Sequence, residues 1–280
     1  MEKKTKNKHT KRDFIIFAVA ILVCLCAWII TWIPVKERFS LDLIKDTDAS
    51  VRIVLVSDLH SCFYGKNQRT LINMIDKENP DIILMPGDIF DDKIKDDNSK
   101  ITLENLVKKY PCYYVAGNHE YWSDRPDEMK DYLRSTGVHV LEGDCESIEI
   151  NGCTLDICGV NDPTYIHMSE WRKELKSAYD ESDKTHTRIL LSHRPELDNE
   201  YEKYDFDLIV AGHAHAGQFR IPIVNLGVFA PDQGLLAKYV NGKYDLSNGA
   251  TMIVSRGLAR ESTPLPRFFN NPELVIIDLN

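Results

Sequence analysis

Five short apolar runs in this chain each lead into a residue that can ligate a metal. VRIVLVS (51–57) is followed by Asp58, DIILMPG (81–87) by Asp88, PCYYVAG (111–117) by Asn118 and RILLS (188–192) by His193. FDLIV (206–210) runs into GHAHAGQ (212–218), which carries His213 and His215. Apolar runs of this length read as buried strands. Between them, apolar residues recur at helical spacing over 67–79, about 100–109, about 126–136 and about 168–180. Strand, polar loop and helix in repetition specify an α/β domain. In α/β sheets, ligands collect just beyond the carboxyl ends of the strands. One Asp after a strand is an ordinary cap or turn residue. Five such positions, all Asp, Asn or His, are unusual for turns alone and point to one shared site.

The spacing of the paired residues narrows the geometry. On a helix, positions i and i+2 point about 200° apart, so His213 and His215 could not meet there. In an extended segment they share a face, within reach of one ion or of two adjacent ones. Asp58 and His60 have the same spacing. Gly87, Gly117 and Gly212 keep Cβ atoms away from a crowded centre. The rest of the chain reads as strands near 138–142, 145–150 and 153–160, the last two joined by Asn151-Gly152, a type I′ turn signal. The stretch 218–279 reads as strands and loops, closing with ELVIIDL (273–279).

The N-terminus is a separate object. Residues 14–33, FIIFAVAILVCLCAWIITWI, contain no charge and as a helix would be roughly 30 Å long, enough to cross a bilayer core. Residues 1–13 carry a net +4, which predicts a basic cytoplasmic tail, a single-pass anchor over 14–33 and a body outside the cytoplasm. Residues 34–50 read as a linker and 51–280 as the folded domain. Residues 14–280 carry a net −13, a poor match for a nucleic acid backbone and suited to cations. No protein partner is implied. The five body cysteines, Cys62, Cys112, Cys145, Cys153 and Cys158, cannot all pair internally, although Cys145 and Cys153 flank the Asn151-Gly152 turn and could bridge.

In order, the motifs are SDLHS (57–61), GDIFDD (87–92), GNHE (117–120), LSHRPE (191–196) and GHAHAGQ (212–218). Together they resemble the calcineurin-like metallophosphoesterase superfamily. The tail, with VFAPDQGLLAKYVNGKY and SRGLARESTPLPRFFNNPELVI, is similar to its membrane-anchored bacterial branch of lipid or UDP-diacylglucosamine phosphoesterases. The resemblance implies a four-layer α/β/β/α sandwich of two mixed sheets. It implies a first metal on Asp58, His60 and His215, a second on Asn118, His193 and His213, and Asp88 bridging both. It implies His119 as the catalytic histidine, with Asp91 and Glu120 orienting ligands. Imidazole and oxygen ligands without thiolate suit Mn²⁺, Fe or Zn²⁺. The implied reaction is attack of a metal-bridging hydroxide on a phosphodiester or pyrophosphate. The anchor suggests a phosphorylated lipid or nucleotide-lipid as substrate. A soluble-nucleotide phosphodiesterase and a non-catalytic scaffold are the alternatives. GDIFDD departs from GDxVDRG, the pattern of the protein phosphatases. Outside the motifs, Arg256, Arg260 and Arg267 could meet a phosphate or form structural ion pairs.

Overall fold

A computed structural model describes residues 2–45, 48–221, 226–260 and 267–280, without the side chains of residues 2–10, 27, 30, 221 and 226. The first sheet contains β1 (Val35–Leu41), β2 (Val51–Leu55), β3 (Ile82–Pro86), β4 (Cys112–Val115), β5 (His139–Val140) and the C-terminal β16 (Glu273–Leu279). The second contains β6 (Asp144–Ile150), β7 (Cys153–Gly159), β8 (Thr187–Leu191), β9 (Leu208–Ala211), β14 (Gly242–Asp245) and β15 (Thr251–Val254). Two short ribbons join them, β10 (Arg220–Ile221) with β11 (Leu226–Gly227) and β12 (Phe229–Ala230) with β13 (Gly234–Leu235). The strand orders are β1-β16-β2-β3-β4-β5 and β14-β15-β9-β8-β7-β6. Both sheets are mixed: β2, β3, β4 and β5 run parallel beside the antiparallel β16, and β15, β9, β8 and β7 run parallel between antiparallel β14 and β6.

Period-2 alternation explains the layers. Ile53, Leu55, Ile82 and Leu84 face Leu155, Ile157, Ile189 and Leu191 in a core between the sheets. The intervening Val54, Ile83 and Met85 face the other way, onto Leu71 and Ile75 of α2 (Arg69–Asp76), Leu103 of α3 (Asp97–Leu106) and Leu133 of α5 (Pro126–Thr136). On the far side, Leu190, Ile209 and Met252 meet Trp171 and Leu175 of α6 (Met168–Glu181). The result is the expected four-layer α/β/β/α sandwich.

Three expectations shift. The stretch 34–50, read as a linker, contributes β1, which pairs in parallel along the whole of β16 and so belongs to the first sheet. Its exposed and part-buried residues alternate without a continuous apolar run, so sequence periodicity missed an edge strand. Cys145 and Cys153 do not bridge: hairpin register sets Cys145 opposite Cys158 and Cys153 opposite Ile150. The N-terminal residues form one helix, α1 (Glu2–Ile30), joining the basic tail to the apolar run. Among the described residues, no helix is long and apolar enough to cross a membrane, so the anchor expected over 14–33 has no support in the fold itself.

Candidate metal centre

The carboxyl ends of β2, β3 and β4 meet those of β8 and β9 at one end of the sandwich. The β2–β3 ladder continues past the strand ends: Asp58 N–H donates to Gly87 O at 3.1 Å, His60 N–H to Asp88 O at 3.0 Å and Ser61 N–H to Ile89 O at 3.1 Å. These loops are not extended, contrary to the spacing argument. Asp58, His60, Asp88, His213 and His215 have φ of 48°, 47°, 54°, 64° and 45°, in the left-handed region that non-glycine residues rarely occupy. Strain of order 1–3 kcal/mol per residue is typical there and clusters at functional sites. The turns bring side chains together that a straight strand would splay along one face.

Two groups of side chains result. Asp58, His60, Asp88 and His215 place ligand atoms within 4.8 Å of one another, and so do Asp88, His193 and His213; all are buried. Asp88 belongs to both. Its Oδ2 lies 3.1 Å from His193 Nε2 and 3.5 Å from His60 Nε2. Neither Asp88 Oδ2 nor His60 Nε2 finds a hydrogen-bond partner, although both are buried. His193 Nδ1–H donates to Pro86 O at 2.8 Å, which turns the Nε2 lone pair inward. There it meets Asn118 Oδ1 and His213 Nδ1, each at 3.2 Å. Such converging acceptors and orphaned buried atoms cost free energy unless a cation joins them. The charge balance agrees. Burial opposes a charged His193, yet the Asp88 carboxylate lifts it to about 10. Burial likewise opposes ionised Asp88, and His193 and His60 hold it well below the usual carboxylate range.

The calcineurin-like phosphoesterase family matches residues 51–217, more than half of the chain, and this span contains every residue expected to ligate a metal. The chain belongs to this family. Its members are metal-dependent phosphoesterases, and the Asp/His groups suit two divalent ions. An uncharacterized metallophosphoesterase of Campylobacter jejuni is 29% identical over 99% of this chain and 72% of its own. One from Aquifex aeolicus is 28% identical, covering 93% and 97%. A bovine transmembrane protein with a metallophosphoesterase domain is 28% identical over 77% of this chain and 50% of its own.

Around the phosphoesterase centre, carboxylates fix the imidazoles. Asp91 Oδ2 accepts from His60 Nδ1 at 3.0 Å while its other oxygen takes the Lys93 and Ile94 N–H groups, both at 2.8 Å. Glu120, at the start of α4 (Asn118–Trp122), acts on backbone: it accepts from Gly117, Phe90 and Asp88 N–H at 2.8, 2.9 and 3.1 Å, pinning two loops together. Burial, with Asp88 nearby, pushes Glu120 up to about 7. His119 sits outside both groups but forms a third cluster with His60 and Asp91, its Nδ1 3.5 Å from Asp91 Oδ2. Its ring stands edge-on to His60 at 4.3 Å, its N–H donates to Asp88 Oδ1 at 2.9 Å, and its Nδ1 meets Asp92 at 2.7 Å. Burial lowers its pKa.

Sequence reasoning missed Asp92, Arg194, Asp162 and Asp232. Arg194 holds Asp162 at 2.6 and 3.0 Å and touches His213 Nε2 at 2.9 Å, the nitrogen that also meets Asp232 at 2.9 Å. Asp92, Arg194 and Asp232 sit inside GDIFDD, LSHRPE and the VFAPDQGLLAKYVNGKY stretch, but no local spacing signals the contacts they make across loops. Of the three tail arginines, Arg256 pairs with buried Glu273 at 2.7 Å. Arg267 is buried with Nη2 3.2 Å from His215 Nδ1, and its Nη1 has no hydrogen-bond partner among the described residues. Cys62 is a core residue whose Sγ accepts Arg260 N–H at 3.2 Å. His139 and His186 instead meet Glu146 and Asp156 away from the centre.

The glycines are steric. Gly87 has φ 88°, and a Cβ there would lie 2.5 Å from His193 Nδ1. A Cβ on Gly212 would overlap Ser57 Oγ and Asp58 Oδ2. Gly212→Ala is expected to cost about 1–3 kcal/mol, as overpacking does, and to displace Asp58. Metal content by elemental analysis checks this; full metal binding in that variant would show that the Asp58 loop yields freely.

Proposed function

We propose that the protein is a membrane-tethered phosphoesterase that uses two divalent ions to cleave a phosphodiester or diphosphate bond in a lipid or lipid precursor. The observation that carries the two-ion assignment is Asp88: one buried carboxylate common to two groups of ligands, with an oxygen that finds no hydrogen-bond partner among the described residues. Asp58, His60 and His215 would hold one ion, Asn118, His193 and His213 the other. The tether reading is supported by the uncharged run 14–33, whose described large apolar side chains are exposed, and by the transmembrane character in the bovine relative's name.

Two such ions supply an activated water and polarised phosphoryl oxygens. The chain's residues do the rest. Pro86 O and Asp91 fix the tautomers of His193 and His60, so each presents Nε2 to the centre. Asp92 holds His119 Nδ1–H, which leaves Nε2 to carry a proton for the leaving oxygen or to meet developing negative charge. Burial lowers the His119 pKa, so its imidazolium is the stronger acid but the smaller fraction near neutral pH.

The test is turnover of an aryl phosphodiester, the matching monoester and a lipid phosphodiester in vesicles by the full chain, metal-stripped and with Mn²⁺ restored. Metal-dependent cleavage with preference for the lipid is expected. Preference for the soluble aryl diester would remove the lipid assignment, and silence with no metal bound would remove the catalytic one. Metal binding also stabilises: at 100-fold excess over Kd one ion contributes about 2.7 kcal/mol, and about 2–4 °C per kcal/mol is typical for a chain of this size. Chelation should therefore lower Tm by about 5–10 °C per site in a calorimetric scan. An unchanged Tm would mean that the groups do not bind cations.

A further inference from the structure

Outside α1 and the turn that ends it, the large apolar side chains left exposed among the described residues all sit on segments that carry or adjoin residues of the metal centre. Phe63 lies three residues after His60. Trp122 ends α4, and its ring is 4.8 Å from that of His119. Tyr165 stacks at 4.4 Å on Tyr121 of the same helix. Phe229, Leu235 and Leu236 belong to the β12–β13 ribbon, whose turn brings Asp232 to His213; Leu235 is 74% exposed and Leu236 66%. Phe269 follows Phe268, which stacks on Phe219 just past the GHAHAGQ turn. The other end of the sandwich is different: Ser40, Ser50, Arg52, Asn79, Asp81 and Asn151 line a polar depression there.

The end of the apolar N-terminal run is fastened to the same face as the centre. Arg260 lies 3.9 Å from the Tyr64 ring and 5.3 Å from that of Trp32, and donates to Trp32 O at 2.9 Å. Asn271 donates to Ile33 O at 3.0 Å. Exposed apolar side chains gathered at one place mark a contact surface. Aromatic residues and leucines beside a membrane-directed segment are what an interface with lipid uses. The continuity of this rim with the end of residues 14–33 selects the bilayer as its occupant.

We infer that the metal-centre end of the sandwich lies against the lipid bilayer, with the rim formed by Phe63, Trp122 and the Phe229/Leu235/Leu236 ribbon seated in the headgroup region. A phosphoester is thereby taken from the membrane surface into the centre without crossing water. The inference rests on the membrane-tethered reading above and adds an orientation to it.

The test uses the full chain reconstituted in vesicles of phosphatidylcholine brominated on its acyl chains. Leu236→Trp and Asn79→Trp place reporters at the two ends of the sandwich. Seated apolar side chains reach about 5–10 Å into the boundary, so bromolipid quenching at Leu236→Trp, relative to the parent protein, should exceed that at Asn79→Trp by about twofold or more. Equal quenching at both positions would overturn the inference. The double variant Leu235→Ser/Leu236→Ser should keep its turnover of a soluble aryl phosphodiester. If sedimentation in detergent shows a dimer that this variant dissolves, the rim belongs to a second copy of the chain and the inference also falls. Quenching does not depend on catalysis. Absence of metal-dependent turnover in the parent would therefore remove the phosphoesterase reading while leaving the orientation result legible.

Discussion

Asp88→Asn should lose both metals and reduce turnover by at least about 10³-fold, because each ion supplies several kcal/mol of transition-state stabilisation and 1.36 kcal/mol is a factor of ten. The side chain is fully buried, its Oδ1 accepts the His119 N–H at 2.9 Å, and its Oδ2 faces His60 and His193 with no hydrogen bond. The amide can still accept from His119 but brings no charge to offset two cations. Asp58→Asn is the comparison. Asp58 belongs to one group of ligands, with His60 and His215, so its loss should release one ion and leave the other. Metal content by elemental analysis, measured with kcat for an aryl phosphodiester, separates the two. Equal losses of activity with metal content unchanged in both variants would contradict a bridging role for Asp88.

The second large effect is expected at His119. His119→Ala should lower kcat by about 10²–10⁴-fold, the usual range for a positioned acid or base, with both metals retained. Retention is expected because the contact that ties this residue to the ligands is its backbone N–H to Asp88, which alanine keeps. The loss should shrink for an ester with an acidic phenol as leaving group, since that oxygen departs without a proton. Loss of metal from His119→Ala would instead move His119 into the ligand set. Asp92→Asn is expected to reproduce a milder form of the same defect, because it loosens the imidazole at Nδ1 without removing it.

Much of this site was legible before the fold because strand and ligand are adjacent in the chain. An apolar run of buried-strand length places whatever follows it at the carboxyl end of a sheet, which made Asp58, Asp88, Asn118, His193 and His213 readable as one set. The reasoning that put Asp58 with His60, and His213 with His215, on one face of an extended segment gave usable neighbours for the wrong reason. The backbone there turns through left-handed conformations, and those turns aim the side chains inward. Asp92 and Asp232 were missed because their roles come from contacts across loops, 27 and 19 residues away in the chain. The strand at Val35–Leu41 was missed because an edge strand beside solvent carries no continuous apolar signal. Its place in the sheet depends on β16, more than two hundred residues later.

The sequence by itself determined the α/β class, the order of the strands that bear ligands, the family and the mixed imidazole-oxygen chemistry. The class and the ligand chemistry follow from periodicity and residue type and the family from the resemblance of its short motifs, all of them local properties. Only the tertiary structure decided that Asp88 stands between two groups of ligands, that Arg256 is a structural ion pair while Arg267 lies on His215, and that the exposed apolar side chains surround the metal centre. Each of those facts joins segments far apart in sequence. Such contacts arise when burial of the inter-sheet core closes the two sheets on one another, and no local pattern in the chain encodes the distances that closure sets.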